Sequence, residues 1–301
     1  MHTQRLFRNG STLPQVVVAL AASMALGALA LPMLGAMRSN SASSLAIARA
    51  LGVGRAIEAS AADARWYQPA FRSDGDGSLT HHSARLLEGG YAASPEDFTS
   101  PLAPGGGAPK AGEHVRQVDR LAFTVNAAIM PPEPLADSGT ARHYRQVAHR
   151  AGFPQAGGSL VRADEPIAPA STLLVTEWLT ADGYSALRQG PRVLSHRPIV
   201  PFLGATTGRS PEREATAVGA PFVYPDAGQV FDDNADFREA LVGRGATEIN
   251  AMGRGHTGDG AGRAALIMLD GSARLATPRQ SVEQRLWGEA FHSITGGQRV
   301  R

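Results

Sequence analysis

The sequence contains no cysteine, only one lysine, and a long stretch near its start without any charge. Without cysteine, the chain forms no disulfide bond and no thiolate metal site, so cysteine content says nothing of its redox compartment. Lys110 is the only lysine among 29 basic residues, and no run of arginines with interleaved aromatic residues occurs. The electrostatic footprint of a nucleic-acid-binding protein is missing, so we exclude nucleic acid as a partner.

The sequence does contain enough apolar residues to bury a core. Its 301 residues are 43% hydrophobic and 19% charged, and the formal net charge is +2. A chain of this size and composition supports one large domain or two modest domains, and it is not typical of a disordered protein.

The uncharged stretch covers residues 9–37. Its central part, Val16–Leu34, is long enough to cross the hydrocarbon core of a membrane as a helix. The basic residues Arg5 and Arg8 precede it and would keep the leader in the cytoplasm. The same features suit a secretory signal, because Ala28–Ala30 provides a small-x-small cleavage site. The stretch can therefore be interpreted either as a retained membrane anchor or as a signal peptide that is removed.

The residues around Gly10 favour a third interpretation. The stretch reads RNGSTLPQVVVAL and resembles the type IV prepilin signal of pilins and of the pseudopilins of type II secretion. The resemblance implies that a prepilin peptidase cleaves after Gly10 on the cytoplasmic face, and that Ser11 becomes the N-methylated first residue. Gln15 then takes the fifth position, which contacts a neighbouring subunit, and Pro32 the twenty-second, where many pilin helices carry a proline.

Ser11 and Gln15 stand where most members of that family have Phe and Glu. The family's Glu is thought to pair with the N-terminal amine of a neighbour inside an apolar core, where an unpaired charge is costly. Gln15 can form hydrogen bonds but cannot neutralise that charge. The resemblance therefore implies a minor, tip-like or simply anchored member rather than a major filament subunit.

Beyond the uncharged stretch the sequence becomes more polar, while a helical pattern persists. Apolar residues from Leu45 to Ile57 keep one loosely amphipathic face, so we predict a single helix from about Thr12 to about Trp66. The chain then divides into three regions: a leader over residues 1–10, a transmembrane and stalk helix over 11–66, and an extracytoplasmic globular domain over 67–301.

The globular region predicts short strands separated by loops. Four stretches are apolar or alternating and are bounded by Gly, Pro or Asp: RLAFTVNAAIM, STLLVTEWL, RPIVPFL and RAALIMLDGSARL. We predict short helices at His82–Glu88 and in SVEQRLWGEAFHSI, otherwise mostly loop over 73–114, and surface excursions at 99–113 and 203–229. No βαβ alternation and no repeat occurs, so we expect an α+β fold in which an antiparallel sheet packs on the long helix.

The C-terminal part carries a second resemblance, in GHTGDGAGRAALIMLDGSARL. It is similar to the His-X9-Asp-Gly element near the C-terminus of the DUF1559 group of bacterial prepilin-like proteins, with a longer Gly-rich loop between His256 and Asp270. The resemblance implies that His256 opens a hairpin whose turn is Asp270-Gly271. The group's Cys-Pro-Ser is absent, and the TSP of Thr99–Pro101 takes its place in the order of segments.

Some residues admit either a chemical or a structural interpretation. His256, Asp259 and Asp270 suit a metal or acid-base cluster, but their Gly-rich separation and hairpin setting suit structural hydrogen bonds at least as well. The segment SDGDGS at 73–78 suits a calcium loop, which some pseudopilins use, yet it lacks the third acidic position and the distal Glu of an EF-hand. A turn is therefore favoured there, and we expect no cofactor.

Two further sequence patterns resemble those of functional sites. His81 and His82 are expected to point to different sides of any regular element, which disfavours a pair of metal ligands. Asp137 lies in ADSGTA, which contains the Asp-Ser-Gly-Thr sequence of aspartic peptidases. Their mechanism needs two carboxylates that share a proton, and the chain has no second copy, so only a dimer would supply the pair.

Other catalytic signatures are missing from the sequence. The Gly-rich GRGHTGDGAGR precedes a strand instead of linking a strand to a helix, so it does not fit a phosphate-binding loop. No Gly-x-Ser-x-Gly nucleophile elbow occurs. We find no pattern that demands catalysis.

These observations favour a non-catalytic, pilin-like structural subunit of the bacterial cytoplasmic membrane, with one membrane pass and a periplasmic or extracytoplasmic globular domain. The resemblance implies three partners: a prepilin peptidase, other pseudopilins and the inner-membrane assembly platform of a type II secretion or type IV pilus-like system. Two alternatives stay open. One is an exported or membrane-anchored hydrolase with a signal-type N-terminus, and the other is an adhesin or binding module on a simple anchor.

Overall fold

The computed structural model describes residues 13–74, 78–110, 112, 115–130, 161–164, 166, 168–179, 186–189, 192–196, 198–199, 224–232, 248–257 and 262–289. For some of these, 13–36 among them, only the backbone is described. The chain divides into two compact units, residues 1–44 and residues 45–301.

Helices and antiparallel strands make this an α+β protein. Within the described residues, the α-helices are α1 (Leu13–Ala64), α2 (His82–Glu88) and α3 (Pro278–Glu283). The strands are β1 (Phe71–Asp74), β2 (Ser78–His81), β3 (Ala108–Pro109), β4 (Val115–Arg116), β5 (Arg120–Leu121), β6 (Phe123–Val125), β7 (Leu173–Glu177), β8 (Ala186–Gln189), β9 (Arg192–His196), β10 (His256–Thr257), β11 (Gly262–Met268) and β12 (Ala273–Ala276).

Helix α1 is 52 residues long and lies within two residues of the predicted bounds at each end. It stops where Arg65 adopts a left-handed backbone conformation, with φ of 65°, which cannot continue a right-handed helix. The segment expected to span the membrane, Val16–Leu34, lies outside the residues whose side chains are described. Within the described part of the chain, no helix has both the length and the apolar character that a membrane span requires.

The last part of α1 forms one wall of the core of the globular unit. Its buried apolar positions recur every three or four residues, as expected of a helix with one apolar face: Ala46, Ala50, Val53, Ile57 and Ala61. A Cβ added at Gly54 would stand only 2.7 Å from Cγ2 of Ile267 in β11. The helix therefore approaches the sheet more closely than an alanine at this position would allow.

The central sheet has five strands. Four of them follow the order β10-β11-β7-β6, β12 also pairs with β11, and every pairing is antiparallel. All five residues of β7 are buried, as are the last five of β11, because these strands lie inside the sheet with both faces covered. The strands predicted in STLLVTEWL and RAALIMLDGSARL are confirmed, and RLAFTVNAAIM contains β5 and β6.

The described residues also form three smaller sheets. Strands β1 and β2 form an antiparallel hairpin, with Phe71 opposite His81, and β4 adds in parallel to β2. The prediction of mostly loop over 73–114 was wrong here, because the turn-rich SDGDGS joins two paired strands. Strand β3 pairs with β5, and β8 with β9. The stretch RPIVPFL contributes, within its described residues, an isolated bridge between Ile199 and Asn126.

The prediction of the two short helices is confirmed fully for one of them and in part for the other. Helix α2 has the predicted bounds, and the side chain of His81 caps it by accepting a hydrogen bond from the backbone N–H of Ser83. Helix α3 begins earlier than predicted, at Pro278, because Thr277 caps it in a reciprocal bond with Gln280 and proline suits the first turn. It ends at Glu283, well before the end of the predicted segment.

Candidate functional site: a buried Ser-Glu-His network

Three polar side chains meet inside the globular unit, on segments far apart in the sequence. Ser100 follows a short 3-10 helix (Pro95–Phe98), Glu177 is the last residue of β7, and His256 is the first residue of β10. The exposed fraction is 1% for Ser100 and 4% for both Glu177 and His256. We call this group the Ser-Glu-His network.

The carboxylate of Glu177 is the centre of the network. Its Oε1 accepts a hydrogen bond from Oγ of Ser100 at 3.2 Å. Its Oε2 lies 2.8 Å from Nε2 of His256 and accepts the backbone N–H of Ala265 at 3.0 Å. Both oxygens therefore have partners, which a buried carboxylate requires.

Glycines let the segment before His256 pack closely against its neighbours. The N–H of Gly253 donates to the carbonyl of Glu177 at 2.7 Å, and an added Cβ would stand 2.8 Å from Cβ of Glu177. An added Cβ at Gly255 would stand 2.8 Å from Cβ of Leu102. The Gly-rich sequence before His256 is thus explained by packing rather than by phosphate binding.

Arg254, which lies between these two glycines, fixes the segment before His256 through hydrogen bonds to backbone carbonyls. Its guanidinium donates to four backbone carbonyls at 2.6 to 3.1 Å, those of Phe231, Asp232, Asn250 and Met252. The side chain is only 8% exposed. An arginine placed in this way links its own segment to residues 231–232, because its planar fork presents five donors in fixed directions.

The TSP segment reaches the network from the side of α1. Nη1 of Arg49 in α1 donates to Oγ1 of Thr99 at 2.5 Å and to its carbonyl at 3.3 Å. The next residue is Ser100, which bonds Glu177. The prediction of a surface excursion over 99–113 was wrong at this point, because Ser100 is buried and Gly107 packs on the backbone of Leu121.

The order of the three groups differs from that of a hydrolytic triad. In a triad the imidazole lies between the hydroxyl and the carboxylate, so that it can take the hydroxyl proton. Here the carboxylate lies between Ser100 and His256, and all three side chains are buried. The arrangement crosslinks three segments of the core and supplies no imidazole base to the hydroxyl through these contacts.

Asp270 and Gly271 form the turn of the β11-β12 hairpin, as predicted. Gly271 has φ of 79° and donates to the carbonyl of Met268 at 3.0 Å, and the N–H of Met268 bonds the carbonyl of Ser272. The loop is therefore closed by two backbone hydrogen bonds, with a left-handed glycine between them. Asp270 accepts from Oγ and N of Ser272 at 2.6 and 2.9 Å, and these bonds lower the pKa of its carboxyl.

The structure separates His256 from Asp270. His256 pairs with Arg263 near the start of β11, whereas Asp270 lies beyond the end of that strand, roughly 20 Å away at the usual rise per residue. Asp259 lies outside the described residues. Within the described part of the chain, no group of three or more His, Cys, Asp or Glu side chains is placed to hold a metal ion.

The two adjacent histidines do come together, contrary to expectation. The ring centroids of His81 and His82 are 4.0 Å apart. The expectation of opposite sides assumed one regular element, but the chain changes from β2 to α2 between these residues. Both side chains are 2% exposed. Burial, with the positive charge of Arg85 as a second cause, lowers the pKa of His82 to about 3, so this ring is neutral near pH 7.

The remaining predicted sites lie wholly or partly outside the described residues. Gly10, Ser11 and Asp137 lie outside the described residues. Gln15 and Pro32 lie on the backbone of α1, but their side chains are not described. The proposed calcium segment at 73–78 joins β1 to β2, and its residues 75–77 lie outside the described part.

Sequence reasoning missed Glu177, the residue on which the network depends. The available signal was one acidic residue inside the apolar stretch STLLVTEWL, since a carboxylate in a buried strand requires a partner. Comparison of the chain with protein-family models, with curated proteins and with solved structures gave no match.

Proposed function

We propose that this chain is a non-catalytic, pilin-like structural subunit, anchored in the bacterial cytoplasmic membrane after a prepilin peptidase removes residues 1–10. The main support for the proposal is that the prepilin-like segment is continuous in sequence with a helix that reaches the core. The prepilin-like RNGSTLPQ leads directly into α1, a helix of 52 residues, and the part of this helix after Leu45 supplies a wall of an α+β core.

In this proposal, the uncharged segment of α1 remains in the membrane beside the helices of sister pseudopilins. Gln15 contacts the neighbouring subunit and Pro32 sets the geometry of the helix. The globular unit lies on the extracytoplasmic side, and an inner-membrane platform of a type II secretion or type IV pilus-like system assembles the subunits. These partners follow from the resemblance alone.

The Ser-Glu-His network supports a structural role for the motifs of the second resemblance. His256 and the TSP segment, which come from distant parts of the sequence, meet on Glu177 inside the core. The Asp270-Gly271 pair closes a hairpin. Each motif is explained by folding, so neither requires a substrate.

Two matched substitutions test the processing step. Gly10→Val alters the proposed prepilin site, and Ala30→Val alters the small-x-small site of an ordinary signal peptide. Both variants are expressed with a prepilin peptidase, and the mass of each mature chain is measured. We expect Gly10→Val to block processing and Ala30→Val to leave it unchanged. The reverse pattern would contradict the proposal and support an exported protein with a discarded signal.

A further inference from the structure

Asp270-Gly271 is one of five Asp-Gly pairs in the sequence, and it is the pair for which the structure describes both residues. Such a pair is chemically reactive, because glycine has no side chain to obstruct its backbone nitrogen. That nitrogen loses its proton and bonds to Cγ of the aspartate, one carboxyl oxygen leaves as water, and a succinimide forms. Water then opens the ring at either carbonyl, which gives aspartate or isoaspartate.

The consequences of this reaction would be large in the turn between β11 and β12. Both residues of the pair are exposed there, so water reaches them. In isoaspartate the main chain runs through Cβ and Cγ of residue 270, which lengthens the turn by one backbone atom. The turn depends on two backbone bonds, from Gly271 to Met268 at 3.0 Å and from Met268 to Ser272 at 2.9 Å. The last five residues of β11 are buried, so an altered turn would disturb the core.

Ser272 binds the carboxylate that this reaction would consume. Oδ1 of Asp270 accepts the hydroxyl of Ser272 at 2.6 Å and its backbone N–H at 2.9 Å. Both bonds favour the ionised carboxylate and lower its pKa. Ring closure proceeds from the neutral acid, whose hydroxyl leaves as water, whereas the ionised form repels an incoming nitrogen anion. Ser272 therefore reduces the reactive fraction of Asp270 near neutral pH.

The nucleophile is restrained by the same turn. The N–H of Gly271 donates to the carbonyl of Met268 at 3.0 Å. This nitrogen attacks only after it has lost its proton, and the hydrogen bond stabilises the protonated amide. In the folded hairpin, both reacting groups are thus held in their unreactive forms.

We propose that Asp270-Gly271 is a latent isoaspartate site, which the hydroxyl of Ser272 keeps unreactive while the hairpin is folded. Opening of the turn releases the carboxylate and the amide together, so the site becomes reactive when β11 and β12 separate. The proposal concerns the folded globular unit and is independent of how the N-terminus is processed.

The test compares isoaspartate formation in the native full chain and in the same chain unfolded in urea, at one near-neutral pH. Peptide mapping with electron-transfer fragmentation distinguishes aspartate from isoaspartate at residue 270. We expect formation to be at least about tenfold slower in the native chain, because a hydrogen bond to a charged group is worth this factor or more. Equal rates in the two states would overturn the proposal.

Two substitutions of Ser272 make the test specific to the hydroxyl. Ser272→Ala removes the hydroxyl and keeps the backbone N–H, so the native chain should form isoaspartate several-fold faster. Ser272→Thr keeps both donors and should react at the wild-type rate. An unchanged native rate in Ser272→Ala would refute the role of the hydroxyl, and the wild-type comparison decides alone if a variant does not fold.

Discussion

Nε2 of His256 lies 2.8 Å from Oε2 of Glu177, and the two side chains are only 3% and 5% exposed. This contact joins the first residue of β10 to the last residue of β7, and β11 lies between these two strands in the sheet. The contact gives His256 of the C-terminal motif a definite partner. The sequence motif alone did not indicate this partner.

Replacing His256 should reveal the dependence of Glu177 on its partner. His256→Leu leaves the buried side chain of Glu177 without its imidazole partner, and the loss of one buried polar partner costs about 1–3 kcal/mol of unfolding free energy. In a Glu177→Gln background the same substitution should cost at least about 1 kcal/mol less, because the amide carries no charge. Denaturant unfolding of the four proteins measures the coupling. Equal costs in both backgrounds would show that the two side chains do not interact.

Two glycines of α1 should respond in opposite directions to alanine. Gly54→Ala places a Cβ 2.7 Å from Ile267, so it should destabilise the protein by about 1–3 kcal/mol. Gly52→Ala meets nothing within 4 Å and should stabilise the helix by up to about 1 kcal/mol. Thermal unfolding of both variants provides the measurement. Stabilisation by Gly54→Ala would contradict the close contact between α1 and β11.

The pH dependence of stability should carry the signature of His82. Its pKa falls from the usual 6.5 to about 3 on folding, so between these values the unfolded chain binds one more proton than the native chain. Stability therefore falls as pH is lowered through this window, by about 2 kcal/mol between pH 7 and pH 5.

His82→Gln should remove this loss, because glutamine does not titrate. The control is the wild-type protein measured at the same pH values, and the difference in slope is the quantity of interest. Identical slopes for the two proteins would mean that His82 is charged in the native state.

The turn of the β11-β12 hairpin should distinguish glycine from alanine. Gly271 has φ of 79°, and an added Cβ meets nothing within 4 Å, so any cost is that of the backbone alone. Gly271→Ala should destabilise the protein by about 1–2 kcal/mol, and Gly271→Asn should cost less, because asparagine tolerates this conformation. Equal costs for both variants would contradict the turn geometry.

Local features of the fold followed from local sequence signals. The bounds of α2 and the turn at Asp270-Gly271 were predicted because helix periodicity and turn chemistry act over a few residues. The contacts of Glu177 with Ser100 and His256 were missed, because they join segments 77 and more residues apart. The contact between the rings of His81 and His82 was missed because the change from strand to helix falls between them.

The most direct test of the account is the mature N-terminus of the wild-type protein, extracted from its native membrane and measured by intact mass and N-terminal sequencing. The pilin-like account predicts a chain that begins at Ser11 with an N-methylated amine. A chain that begins at Leu31 would show that the apolar helix is discarded, and it would contradict the proposed anchor and assembly.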